Sequence, residues 1–238
     1  MNKGIKKIGF IAIFYLIAIS LKYYIIIIKP DFYTDANLLF ESILVGLGPL
    51  IGALVLVLFF KRPNALEIFK AGYWQTVLVV LIPIVLFALV GLINDEKVNL
   101  YAAKIIAISI LYAAFEEYGW RGYLQSELGQ FKRIYKYLIV SVLWYFWHLE
   151  FGFGFSMNHF SVYLIILSGS IGIGYVADKS KSLIYVALFH AFMNMFLTES
   201  LNEIPSIQKL IIISISAIAI ILQMRFKRKK EKFLAVKL

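Results

Sequence analysis

The chain has 238 residues, 61% of them hydrophobic and only 16% charged, with a mean hydropathy of +0.83 and a formal net charge of +10. A soluble domain of this length must cover its core with polar surface, and this composition leaves too little for that. The absence of cysteine excludes disulfides, thiolate nucleophiles and cysteine-ligated zinc.

Crossing the hydrocarbon core takes about 20 apolar residues, and about eight segments meet that need in chain order. The first, 8–28, follows the basic start MNKGIKK. No small-residue cleavage site follows, so it reads as a retained span rather than a removed leader. Lys22 lies inside it and is expected to snorkel toward the nearer interface. The next spans are 38–60, 75–94, 103–123, 136–154, 160–177, 182–199 and 208–225. The expected fold is therefore all-α: a single membrane domain over 1–238, with any catalytic site inside the helix bundle and a basic tail at 225–238.

The distribution of lysine and arginine orients the bundle. With eight spans, the N-terminus, 61–74, 121–137, 178–181 and the tail from Arg225 share one side, and nineteen of the 24 Lys+Arg lie there. The opposite loops hold only Lys29, Lys97, Lys104 and Lys209. Both termini are expected in the cytoplasm. The tail RFKRKKEKF is expected to meet anionic lipid headgroups, and no nucleic-acid-binding fold accompanies it.

The fourth span ends in AAFEEYGWRGYL (113–124), preceded from Ile105 to Phe115 by a run without a single charge. Ionised side chains in a span are costly and point to function. At 100° per residue, Glu117 and Arg121 share a helix face with the acid N-terminal, the favoured order for a pair. Glu116 stands about 140° from Arg121 and stays available. In the fifth span, LWYFWHLE puts Trp144 and His148 four residues apart; in the seventh, HAFMN does the same for His190 and Asn194. His159, in FGFGFSMNHF, falls in a predicted loop and looks incidental. Small residues from Ser168 to Gly174, including Gly169, Ser170 and Gly172, read as a helix-packing face.

A carboxylate, two imidazoles and an amide suit hydrolysis by an activated water. The carboxylate acts as general base, the imidazoles orient the water, steady an oxyanion or hold a metal, and the Asn194 amide donates to an oxyanion. Two histidines and one carboxylate (Glu116, His148, His190) also form an acceptable zinc set with an open position. If Glu116 ligates, Glu117 could serve as base, and both assignments stay open. The sequence contains no H-E-x-x-H helix, no G-x-G-D or Y-D aspartate pair and no G-x-S-G serine motif, which removes the other intramembrane hydrolase types.

These residues resemble the CAAX protease and bacteriocin-processing (CPBP, or Abi) family of intramembrane metalloproteases, similar to the type II CAAX prenyl endopeptidase. That family's pattern is E-E-x-x-x-R, F-x-x-x-H and H-x-x-x-N on successive helices. Glu116-Glu117-Tyr118-Gly119-Trp120-Arg121 and His190-Ala191-Phe192-Met193-Asn194 match the first and third; in the second, Trp144 replaces phenylalanine while His148 is in place. The resemblance covers about residues 100–200. It implies an endopeptidase acting on a membrane-associated peptide or protein, with Glu116 activating water and His148, His190 and Asn194 completing the site. Arg121, Glu117 and Trp144 would support it or bind substrate, with a divalent metal, zinc by preference, as the implied cofactor. Bacteriocin immunity and peptide maturation are the implied roles, and a non-catalytic scaffold that regulates a sensor kinase or cell-wall enzyme is the alternative.

Overall fold

A computed structural model describes residues 3–28, 38–70, 72–94, 96–148, 157–196 and 204–236. Eight helical rods follow one another there. They are α1 (Lys3–Tyr23, with a π-helical end Tyr24–Ile28), α2 (Leu38–Phe60), α3 (Tyr73–Asn94) and α4 (Glu96–Glu117). Then come α5 (Arg133–His148), α6 (Met157–Ser180), α7 (Leu183–Asn194) and α8 (Ser206–Val236). Among the described residues the only extended pairing is an isolated parallel bridge, Glu67 with Ser182. The chain is an all-α, multi-pass membrane protein.

Five of the rods are long and apolar enough to cross a bilayer: α1, α2, α3, α6 and α8. The shorter α7 is apolar as well. The other two carry most of the polar candidates. Glu116, Glu117 and Arg121 interrupt the apolar run at the end of α4, and α5 has only 16 described residues. The ends of the predicted fifth and seventh spans, 149–154 and 197–199, lie outside the described residues. The tail beyond Arg225 continues α8 as helix to Val236.

One end of the bundle gathers the basic segments. Lys7 Nζ donates to Gln130 Oε1 at 2.9 Å, so the start of α1 meets the turn before α5. Arg62, just past α2, makes two bonds to the carboxylate of Glu127, and those bonds raise the guanidinium's hold on its proton above the usual arginine value. Tyr185, near the start of α7, donates to Gln223 of α8. The segment after α2 therefore folds against the base of α4: Ala65 N–H reaches Gly122 O and Ser126 Oγ, and Asn64 Nδ2 reaches Tyr118 O.

At the same end, the sequence DKSKSL turns α6 into α7. Lys181 takes φ of 54°, and extended Ser182 follows, with its hydroxyl accepting from Tyr185 N–H as the α7 cap. This short reversal fixes the direction of α7, and with it the position of His190.

Candidate active site

The acidic pair sits where α4 changes helix type. Glu117 ends the α-helix, and Tyr118–Leu124 follows as a π-helix before Gln125–Glu127 returns to α. Such wide turns carry an extra residue and are frequent at functional sites. This one presses against α2. A Cβ added at Gly119 would stand 2.6 Å from the Pro49 carbonyl oxygen, so only glycine allows the approach. The π-turn, absent from the sequence reading, buries Glu116, Glu117 and Arg121 together.

The two acids have different surroundings. Glu117 Oε1 accepts from Arg121 Nη1 at 2.9 Å and also bonds His190 Nδ1 at 2.7 Å. The i, i+4 pair expected from spacing is present, and a histidine from α7 shares its acceptor. Glu116 accepts from Trp144 Nε1 on Oε2 at 2.9 Å, with the Tyr112 side chain also hydrogen-bonded to it. Glu116 Oε1 and Glu117 Oε2 have no hydrogen-bond partner among the described residues.

Both imidazoles are held through Nδ1. His148 Nδ1 lies 2.8 Å from the carbonyl oxygen of Trp144. A carbonyl only accepts, so Nδ1 carries the proton and the neutral ring keeps its lone pair on Nε2. His190 meets the acceptor Glu117 in the same way. Trp144 packs edge-to-face on both rings at 5.3 Å between centroids, and the Arg121 guanidinium lies 4.4 Å from the Trp144 ring centre.

A cavity of about 150 Å³ adjoins these groups. Tyr112, Trp144, His148, His190 and Asn194 supply its polar and aromatic wall, while Ile165, Ile166, Ile173 and Met193 make it apolar opposite. A Cβ at Gly169 would stand 3.1 Å from Met193 Cε and 3.6 Å from Trp144 Cζ3, so the glycine of α6 keeps this wall clear. All seven residues singled out from sequence thus lie at or beside one cavity.

Donors able to hold a cation converge in a buried group of Glu116, Glu117 and His190, whose ligand atoms lie within 4.8 Å of one another. This differs from the expected set of Glu116, His148 and His190. Glu117 enters the group because it meets His190 directly across α4 and α7, and His148 lies outside it. The two unpartnered carboxylate oxygens fit a cation.

Sequence reasoning missed two neighbours. Tyr112, one turn before Glu116, flanks it and lies 6.2 Å from the His190 ring; its i−4 spacing was the available signal. Lys22 does not snorkel. It is 7% exposed, with its ammonium 4.0 Å from the centre of the Trp147 ring, which in turn packs on His148. The rule that singled out the other buried charges applied to it equally. His159 lies in the first turns of α6 rather than in a loop.

Residues 97–196 match the family model described as type II CAAX prenyl endopeptidase Rce1-like. The matched segment runs from α4 to the end of α7 and contains every residue of the cavity's polar wall. No curated protein matches the chain.

Proposed function

Starting from a CAAX-protease-like core over residues 97–196, we propose that this chain is a membrane-embedded endopeptidase that hydrolyses a membrane-associated peptide or protein with an activated water. One observation carries the reading: a fully buried Glu116 has one oxygen tied to Trp144 and the other unpartnered, beside a cavity that two imidazoles line.

Each group then has a task. Glu116 Oε1 removes a proton from water as that water attacks the scissile carbonyl. His148, protonated at Nδ1 toward its own helix, offers Nε2 as an acceptor that orients the water. The Asn194 amide donates to the oxyanion as it develops. Glu117 holds the His190 Nδ1–H, so that Nε2 can take a proton and deliver it to the leaving amine, and it steadies the imidazolium meanwhile. Arg121 anchors Glu117 and adds positive charge that favours a substrate carboxylate. In the alternative arrangement a divalent cation, zinc being compatible with nitrogen and carboxylate donors, would be held by Glu116, Glu117 and His190 and would acidify a bound water. These groups are then ligands instead of base and acid.

The clustering of basic segments at one end supports a cytoplasmic placement of that end and of both termini. Peptide maturation or self-immunity to a bacteriocin are the roles we assign to such an activity. The test compares wild type with Glu116→Ala, Glu117→Gln and His190→Ala at matched membrane levels. The readouts are cleavage of quenched fluorescent peptides, one ending in a prenylated CAAX sequence and one an unmodified amphipathic helix, and bound metal in the same preparations. Cleavage by wild type and its loss in Glu116→Ala are expected. Full activity in Glu116→Ala overturns the role of that residue. A cellular phenotype without cleavage by wild type favours a regulatory scaffold.

A further inference from the structure

Trp144 occupies a place that no general need for bulk explains. Its indole touches Glu116, Arg121 and both imidazoles of the site. Nε1 donates to Glu116 Oε2 at 2.9 Å, the ring edges meet His148 and His190 at 5.3 Å, and Arg121 lies over its face at 4.4 Å. The backbone of the same residue holds His148 through its carbonyl. Phenylalanine would keep most of this packing and lose only the donor.

The donor matters because of what surrounds Glu116. The carboxylate is fully buried, and the Trp144 indole donates to its Oε2. The Tyr112 side chain one turn earlier also hydrogen-bonds the carboxylate, while Oε1 has no partner among the described residues. The terminal torsion of a glutamate is broad and about two-fold, so an unrestrained carboxylate would exchange its oxygens and swing. The rigid indole N–H on Oε2 selects one orientation and leaves Oε1 as the oxygen without a partner. Arg121 over the ring face draws on its electron density, which strengthens the N–H as a donor. A buried, charge-assisted bond of this kind is short and about twice as strong as a neutral one.

Resting on the peptidase reading, we infer that Trp144 is the positioning residue of this enzyme: its indole N–H fixes the Glu116 carboxylate so that Oε1 is presented as the base. Trp144 touches no reacting atom in this role. Its contribution is orientation, which acts in the chemical step rather than in substrate binding.

The test replaces the donor and nothing else. Trp144→Phe and a variant with 3-benzothienylalanine at position 144, in which sulfur stands for the N–H of an otherwise unchanged bicyclic ring, are assayed in membranes with the prenylated CAAX peptide. Both are expected to lower kcat about tenfold, the loss of about one hydrogen bond to a charged group, with KM within about twofold of wild type. A second readout needs no activity: the indole ¹⁵N–¹H resonance of Trp144, identified by its absence in Trp144→Phe, should move in Glu116→Ala and stay in place in Lys70→Ala. The inference is overturned if the benzothienylalanine variant keeps the wild-type kcat, if KM rises with kcat unchanged, or if the resonance is unmoved in Glu116→Ala. A wild type that cleaves neither peptide, with the resonance still moved, overturns the peptidase reading while sustaining the Trp144–Glu116 bond.

Discussion

Two clusters of buried or half-buried carboxylates sit along the same helix bundle and differ in how far they are satisfied. Toward the basic end, Asp178 of α6 accepts on Oδ1 from Gln125 and Lys136, and on Oδ2 from Tyr137 and Lys136, at 2.9–3.3 Å. Glu127 gives both its oxygens to Arg62. In the cavity cluster Glu116 Oε1 and Glu117 Oε2 are left over. Burying a carboxylate oxygen without a donor is costly. The saturated cluster joins neighbouring helices, and the unsaturated one carries a cost at the place where the proposed chemistry uses its spare acceptors. Buried charge alone therefore does not set the two clusters apart; spare acceptors do.

That contrast can be broken at several points. The largest effect is expected in the cavity: Glu116→Ala should lower the cleavage rate about a thousandfold, the usual weight of a general base, as read in single-turnover assays of the fluorescent peptide. Glu117→Gln keeps the shape but weakens the grip on both Arg121 and His190. A loss of about a hundredfold in kcat is expected, and thermal unfolding in detergent checks that the fold survives.

In the saturated cluster the consequence should be stability instead of chemistry. Asp178→Asn leaves Lys136 without its partner and should cost about 2 kcal/mol, seen as a lower unfolding midpoint with kcat retained. Arg62→Met leaves the Glu127 carboxylate, whose side chain is 0% exposed, without either of its donors and should cost about 2 kcal/mol as well. Smallest of all is Lys70→Ala, at a solvent-exposed pair with Glu67; a change within about 0.5 kcal/mol is expected. A large kcat loss in Asp178→Asn would dissolve the distinction between the two clusters.

The parts legible from sequence are those that a single helix decides. Apolar run length set the spans, and fixed angular spacing set Glu117 against Arg121 and put His190 and Asn194 on one face. Those relations hold whatever the helix packs against, because 3.6 residues per turn is a local property. Composition likewise determined that the protein is helical and membrane-spanning, since only helices satisfy the backbone within their own span in lipid when no barrel pattern is present.

Partner choice between helices was settled elsewhere. That Glu117 serves His190 as well as Arg121, that Glu116 takes the indole of Trp144, and that Lys22 turns inward to Trp147 all depend on where α1, α4, α5 and α7 cross. Those crossings are set by Gly119 against Pro49, by the unforeseen π-turn over Tyr118–Leu124, and by the Lys181–Ser182 reversal into α7. The sequence by itself determined which residues are the candidates for reaction. Only the tertiary structure decided which oxygen of which glutamate is left unsatisfied, because hydrogen-bond partners on different helices leave no trace in either helix's periodicity.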